Sequence, residues 1–189
     1  MIEAFLVSTG VVALAEIGDK TQLLAMVLAA RYRRPLPIIL GILVATLLNH
    51  ALAGFVGAWV ASAIGPVAMH WILGLSFIAM GIWILVPDKI DESLQARQPR
   101  LGIFTATLVA FFLVEIGDKT QIATVALAAR YGSLAAVVLG TTLGMMIANV
   151  PAVMLGEVAA RRLPMRLVHG IAAAIFVILG VLVLLGVGS

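Results

Sequence analysis

The chain contains no cysteine, which excludes disulfides and thiolate metal sites. It is also poor in charge: 11% of its 189 residues are Asp, Glu, Lys or Arg, against about 25% in a soluble domain. Aromatics make up only 6%, which leaves little to line a pocket for an organic solute. In their place the chain is 63% hydrophobic, with a mean hydropathy of +1.18. Twenty-one charged side chains, 12 basic and 9 acidic, cannot cover a globule with polar surface. The expected class is therefore an all-α integral membrane protein. A net charge of +3 and a pI near 9.8 are spread too thinly for nucleic acid, and basic loops facing anionic lipid account for them. The start, Met1-Ile-Glu-Ala-Phe-Leu6, lacks the basic region of a cleaved signal peptide, so the first apolar segment is expected to remain as a span.

Apolar segments run from Ile2 to Ala30, Leu36 to Ser62, Met69 to Val86, Leu101 to Ala129, Leu134 to Val158 and Leu167 to Val187. About 20 apolar residues suffice for one crossing, so six transmembrane helices in a single domain, 1–189, are expected. Pro35, Pro37, Gly65-Pro66, Pro87, Gly132-Ser133 and Pro164 punctuate the turns. A polar linker, 88–100, divides the chain into a first three-helix repeat, 1–87, and a second, 101–189.

The halves align without a gap at an offset of 99 residues. Glu16-Ile-Gly-Asp-Lys-Thr-Gln22 recurs letter for letter as Glu115 to Gln121, and Leu28-Ala-Ala-Arg-Tyr32 as Leu127 to Tyr131. Gly41 matches Gly140, Gly57 matches Gly156, His70 matches His169 and Gly81 matches Gly180. Because each half has an odd number of spans, the second must enter the membrane from the opposite side, making an inverted repeat. Arg31, Arg33, Arg34, Lys89, Arg97, Arg100, Arg161, Arg162 and Arg166 fall on the 1–2, 3–4 and 5–6 loops, and only Arg130 on the other face. The positive-inside rule then makes those loops cytoplasmic and leaves both termini outside.

Each heptapeptide lies at the middle of an apolar run, where every central charge costs roughly 2.5–3.5 kcal/mol on insertion scales. The first and fourth segments exceed a bilayer core of ~30 Å if helical throughout. They must tilt or break, and Gly18 and Gly117 are the natural break points. On a continuous helix Glu16 and Asp19 share a face, as do Glu115 and Asp118. Two such faces would bring together four carboxylates, with Gln22, Gln121, Thr21 and Thr120 adding neutral oxygens. Hard divalent ions such as Mn²⁺, Ca²⁺ and Mg²⁺ prefer that all-oxygen set. Four carboxylates cannot all stay ionised in a dry cavity, so an empty site is expected to hold protons that an arriving ion displaces. Glu16 and Glu115 are the first candidates for this coupling.

Several residues have a plainer reading as well. Asp19-x-x-Gln22 and Asp118-x-x-Gln121 match a loose capping box, so the aspartates are either ligands or helix caps. Lys20 and Lys119 have three open roles: pairing with the acids, snorkelling to an interface, or gating. Asn49, His50 and Asn149 read as interhelical hydrogen bonders ahead of ion-path residues. His70 and His169 lie near span ends, where an interfacial position is the default. Trp59, Trp71 and Trp83 read as interface or packing residues, and Met145-Met146 as packing. Thr46, Thr141 and Thr142 fit bonding within their own helices. Gly41, Gly54, Gly57, Gly140 and Gly144 fit close helix packing. Asp88, Asp91 and Glu92 read as solvated.

Paired Glu-x-Gly-Asp-[Lys/Arg]-[Thr/Ser] motifs on the first and fourth of six spans resemble the UPF0016 family, also called the Gdt1 or transmembrane protein 165 family. The likeness covers the whole chain, with Glu16, Gly18, Asp19, Lys20 and Thr21 in the first motif and Glu115, Gly117, Asp118, Lys119 and Thr120 in the second. It implies a transporter of Mn²⁺ and Ca²⁺ that exchanges them for protons, and its bacterial side implies a manganese exporter in a prokaryotic inner membrane. The fold is similar to that of the wider lysine-exporter group. No prosthetic group is expected; the metal is cargo, and the protein is expected to be a monomer or homodimer. Rival readings are a Ca²⁺/H⁺ exchanger of the same build, a cation channel, a small-solute exporter, or an intramembrane enzyme with an acidic dyad.

Overall fold

In the computed structural model the described residues are 1–86, 102–155 and 165–186, and they are helical throughout apart from short joints. The first apolar segment forms α1 (Ile2–Glu16) and α2 (Lys20–Tyr32), and the second forms α3 (Pro35–Ala63). Then come α4 (Pro66–Ile84), α5 (Ile103–Glu115), α6 (Lys119–Tyr131), α7 (Leu134–Leu155) and α8 (Met165–Leu184). Pro35 and Pro66 open α3 and α4, where a missing N–H costs nothing. Four stretches are long and apolar enough to cross a membrane: Pro35–Ala63, Val67–Ile84, Leu134–Met154 and Leu167–Leu184. The first and fourth segments are instead half-length helices in pairs, so they break at the motif. The linker 88–100, with Lys89, Arg97, Arg100, Asp88, Asp91 and Glu92, lies outside the described residues, as do Gly156, Arg161 and Arg162.

The breaks follow from two glycines. Gly18 and Gly117 have φ of +84° and +75°, a region that costs an L-residue about 1–2 kcal/mol. The flanking Ile17 and Ile116 are extended, as are Asp19 and Asp118, which start the next helix. Asp19 N–H donates to Glu16 O and Asp118 N–H to Glu115 O, both at 3.0 Å, so the two breaks share one geometry. No atom lies within 4 Å of a Cβ added at Gly117. Gly117→Ala should therefore act through backbone strain alone, lowering stability by about 1–2 kcal/mol. Thermal unfolding in detergent checks this.

Each half packs into the other. α1 lies along α7 as α5 lies along α3, α2 meets α7 as α6 meets α3, and α4 pairs with α8. The match reaches individual atoms. A Cβ at Gly41 would sit 2.8 Å from Thr107 Cβ and 2.9 Å from Phe104 O. One at Gly140 would sit 3.0 Å from Ser8 Cβ and 2.6 Å from Phe5 O, the same contact with the halves exchanged. Phe77 of α4 and Phe176 of α8, which also correspond, meet with ring centroids 6.2 Å apart. Such close approaches between backbones require glycine, as the packing reading of these residues expects. Outward faces carry large apolar side chains such as Leu52, Phe55, Trp59 and Trp71, all more than half exposed. The polar groups are turned inward.

Candidate metal centre at the paired helix breaks

At each break the motif's hydroxyl and amide hold it in shape. Thr21 Oγ1 donates to Glu16 Oε2 at 2.5 Å, and Thr120 Oγ1 to Glu115 Oε1 at 2.6 Å. Gln22 Oε1 accepts from Gly18 N–H at 2.8 Å, and Gln121 Oε1 from Gly117 N–H at 2.6 Å. The glutamine thus reaches back past the N-cap residue to satisfy a glycine N–H freed by the break. Asp19 and Asp118 occupy the N-cap positions of α2 and α6, yet neither makes a side-chain cap bond. The side-chain cap bond expected of the aspartates is not made. The glutamine oxygens, expected as ion ligands, are thus already engaged by backbone. Gln22 Nε2 also donates to Ala148 O at 3.0 Å, and Gln121 Nε2 to Asn49 Oδ1 at 3.4 Å.

With the aspartate side chains kept out of cap bonds, they turn toward the opposite half. Lys20 Nζ lies 2.7 Å from Asp118 Oδ1, and Lys119 Nζ lies 3.8 Å from Asp19 Oδ1. Each lysine lies beside the other motif's aspartate, the pairing that is one of the three roles open from sequence. Glu16, Asp19 and Asp118, all buried, offer carboxylate oxygens that lie within 4.8 Å of one another, close enough to share one cation. Glu16 Oε1 is buried with no hydrogen-bond partner among the described residues, the condition of an acceptor waiting for a ligand.

Of the four expected carboxylates, three meet within 4.8 Å among the described residues. Because the helix is broken, Glu16 and Asp19 do not share a continuous face, and the acids meet by crossing between halves. Glu115 is equally buried but faces His50, whose Nε2 is 3.6 Å from Glu115 Oε1. His50 stands where the other half has Asn149, so the two walls are chemically unequal. Asn49 Nδ2 donates to Phe112 O at 3.1 Å, an interhelical bond as expected. Asn149 does not follow suit: its Nδ2 bonds Met145 of its own helix, at 3.0 Å to both O and Sδ. Thr141 bonds back within α7, whereas the buried hydroxyls of Thr46 and Thr142 have no partner among the described residues.

One residue at the site was given a different role from sequence. His169 was expected at the interface, but its Nε2 lies 2.8 Å from the carbonyl of Ile17, inside the first break. Its match in the other half, His70, instead contacts Leu184 O at 3.1 Å. The one sequence signal for His169 was that it recurs at the 99-residue offset.

Two copies of an acidic break, each with its lysine beside the other's aspartate, coincide with a sequence-wide match. Residues 4–92 and 103–188 fit the family model described as "Divalent cation/proton antiporter GDT1". The chain belongs to the GDT1 family. That family is one of transporters, not enzymes, and its GDT1 members handle divalent cations. A Vibrio cholerae protein named "Putative manganese exporter" is 51% identical over 176 residues, covering 92% of this chain and 86% of that protein. A GDT1-like protein of Synechocystis is 30% identical over 199 residues, with 96% of each chain covered. An Arabidopsis thaliana protein named "GDT1-like protein 5" is 29% identical over 218 residues, covering 96% of this chain and 95% of its own. No solved structure matches the chain. Together with the apolar helices, membership makes this a multi-pass membrane protein that carries a divalent cation.

Proposed function

We propose that this GDT1-family protein exports Mn²⁺ from a prokaryotic cell across its inner membrane in exchange for protons. The observation that carries the reading is the convergence of Glu16, Asp19 and Asp118 within 4.8 Å, deep between the two halves. Glu16, Asp19 and Asp118 bind the ion, with Glu115 at the margin. Gly18 and Gly117 create the breaks, Thr21 and Thr120 orient the glutamates, and Gln22 and Gln121 steady the freed backbone. Asn49 and Asn149 belong to the supporting frame. The two motifs carry four acids and two lysines, a net charge of 2 − 4 = −2. One divalent ion neutralises that charge, and so do two protons; burial in apolar surroundings makes either preferable to the bare site. Lys20 and Lys119 hold the aspartates while the ion is away and yield them when it enters.

Six spans arranged as two inverted repeats, 1–87 and 101–189, let this one site open alternately to each side. The same reading puts the basic loops in the cytoplasm and both termini outside. The all-oxygen donor set also suits Ca²⁺, so a Ca²⁺/H⁺ exchanger of the same build is the second reading.

The test is flux into proteoliposomes of purified protein, with Mn²⁺ or Ca²⁺, in the presence and absence of a pH gradient. A one-unit gradient exchanging two protons per ion should concentrate Mn²⁺ about 100-fold at equilibrium. Accumulation that ignores the gradient would make the protein a channel and end the antiport reading. Ca²⁺ driven in preference to Mn²⁺ would select the second reading.

A further inference from the structure

The two halves are alike in sequence but not in how α4 and α8 meet the motifs. α8 packs on α1, and α4 packs on α6, so the α4–α8 pair is off centre. Exchange of the halves would move it onto α5 and α2. At one end of the pair, His169 near the start of α8 reaches the Ile17 carbonyl in the first break at 2.8 Å. Beside it, Lys119 of the second motif donates to Val86 O, just beyond the end of α4, at 3.1 Å. At the opposite end His70 Nε2 lies 3.1 Å from Leu184 O, a contact within the pair. Ile116, the counterpart of Ile17, is 55% exposed.

The chemistry of these contacts is simple. A carbonyl has no proton to give, so Nε2 of each histidine is the N–H donor. Ile17 O lies where α1 stops, and Leu184 O is in the last turn of α8; both belong to helix ends whose carbonyls lose their intrahelical partner. In apolar surroundings such a group must find a donor. Each histidine therefore has two possible acceptors: the end of the helix facing it, or the backbone of a motif break. The structure uses one choice at each end.

We infer that His169 and His70 are positioning residues that hold the two motif breaks in alternation. In the conformation described, His169 holds the first break. In the exchanged conformation, His70 donates to Ile116 O, His169 moves to Leu85 O, and Lys20 takes over from Lys119 by capping Leu185 O. The breaks carry Glu16, Asp19, Glu115 and Asp118, so each histidine sets the ion site through backbone and not by touching the ion. This inference rests on the inverted-repeat exchange proposed above.

The natural absence of cysteine makes the test direct. Cysteine pairs Ile17→Cys/His169→Cys and Ile116→Cys/His70→Cys are oxidised in membranes, with Mn²⁺ absent or present and with a pH gradient in either direction. The first bridge should form in one set of conditions and the second in another, and a four-cysteine protein should carry one or the other per chain. Both bridges in a single chain, or a 70–116 bridge that forms in none of these conditions, would overturn the inference. On the 70/116 background His169→Leu should raise that bridge's share about tenfold, the worth of roughly one hydrogen bond. His70→Leu on the 17/169 background should favour the first bridge. A merely structural role would weaken both bridges together. His169→Gln, which keeps an N–H donor, should restore the original ratio. Gradient-driven flux with bridges that do not exchange defeats this inference alone; exchanging bridges with gradient-independent flux defeats the antiport reading alone.

Discussion

Glu16→Gln should lower Mn²⁺ flux into proteoliposomes by at least about 100-fold while leaving the fold intact. The amide has the shape of the acid, and its oxygen can still accept the Thr21 hydroxyl that now bonds Glu16 Oε2 at 2.5 Å. What changes is charge. The ion loses one of three buried carboxylates, and the motifs' net charge falls from −2 to −1, so a divalent ion no longer leaves the site neutral. Removing one partner from a buried charge set costs about 3–5 kcal/mol, and 2.7 kcal/mol already corresponds to about 100-fold. Glu115→Gln is the comparison. Glu115 faces His50 outside the three-acid cluster, so its amide should weaken Mn²⁺ binding at equilibrium less than Glu16→Gln does. Unchanged flux in Glu16→Gln would remove the proposed site, and equal losses of binding would remove the assignment of unequal walls.

Gly57→Val should be the most damaging substitution in the packing. Gly57 on α3 crosses α6 where a Cβ would overlap the Val125 carbonyl oxygen, which is backbone and cannot rotate aside. Overpacking usually costs about 1–3 kcal/mol; with a helix backbone as the obstacle, about 3 kcal/mol is expected. The helices must separate, and α6 begins with Lys119 and Thr120, so flux should fall along with stability. Gly10 on α1 is the control, because nothing lies within 4 Å of its would-be Cβ. Gly10→Ala should be neutral or gain up to about 1 kcal/mol from reduced backbone freedom. Melting temperatures in detergent compare the two.

The acids, glycines and threonines of the site were readable because chemistry repeats them: a buried carboxylate at mid-span is costly, and a duplicated one is doubly so. Length left tilt or a break open for each long segment, with Gly18 and Gly117 as the natural break points, and the structure takes the break. The cap reading of the aspartates failed for a local reason. In Asp-x-x-Gln the aspartate can reach forward and the glutamine back, and the pattern does not say which one a neighbouring half will claim. Lys20 and Lys119 settle it by drawing Asp118 and Asp19 across the interface. His169 was misplaced because a histidine near a span end looks interfacial until its helix is docked against Ile17.

The sequence by itself determined the class, the duplication and the acidic donor set on which the proposed ion site rests, because these depend on hydropathy, spacing and donor atoms, which are properties of the chain. Only the tertiary structure decided which acids meet and which lysine neutralises which aspartate. It also decided that Glu115 lies beside His50, and that one histidine contacts a break while its twin does not. Those choices arise where two halves that share the same motif pack against each other. A symmetric sequence allows each contact in two versions, and a single packed conformation must take one.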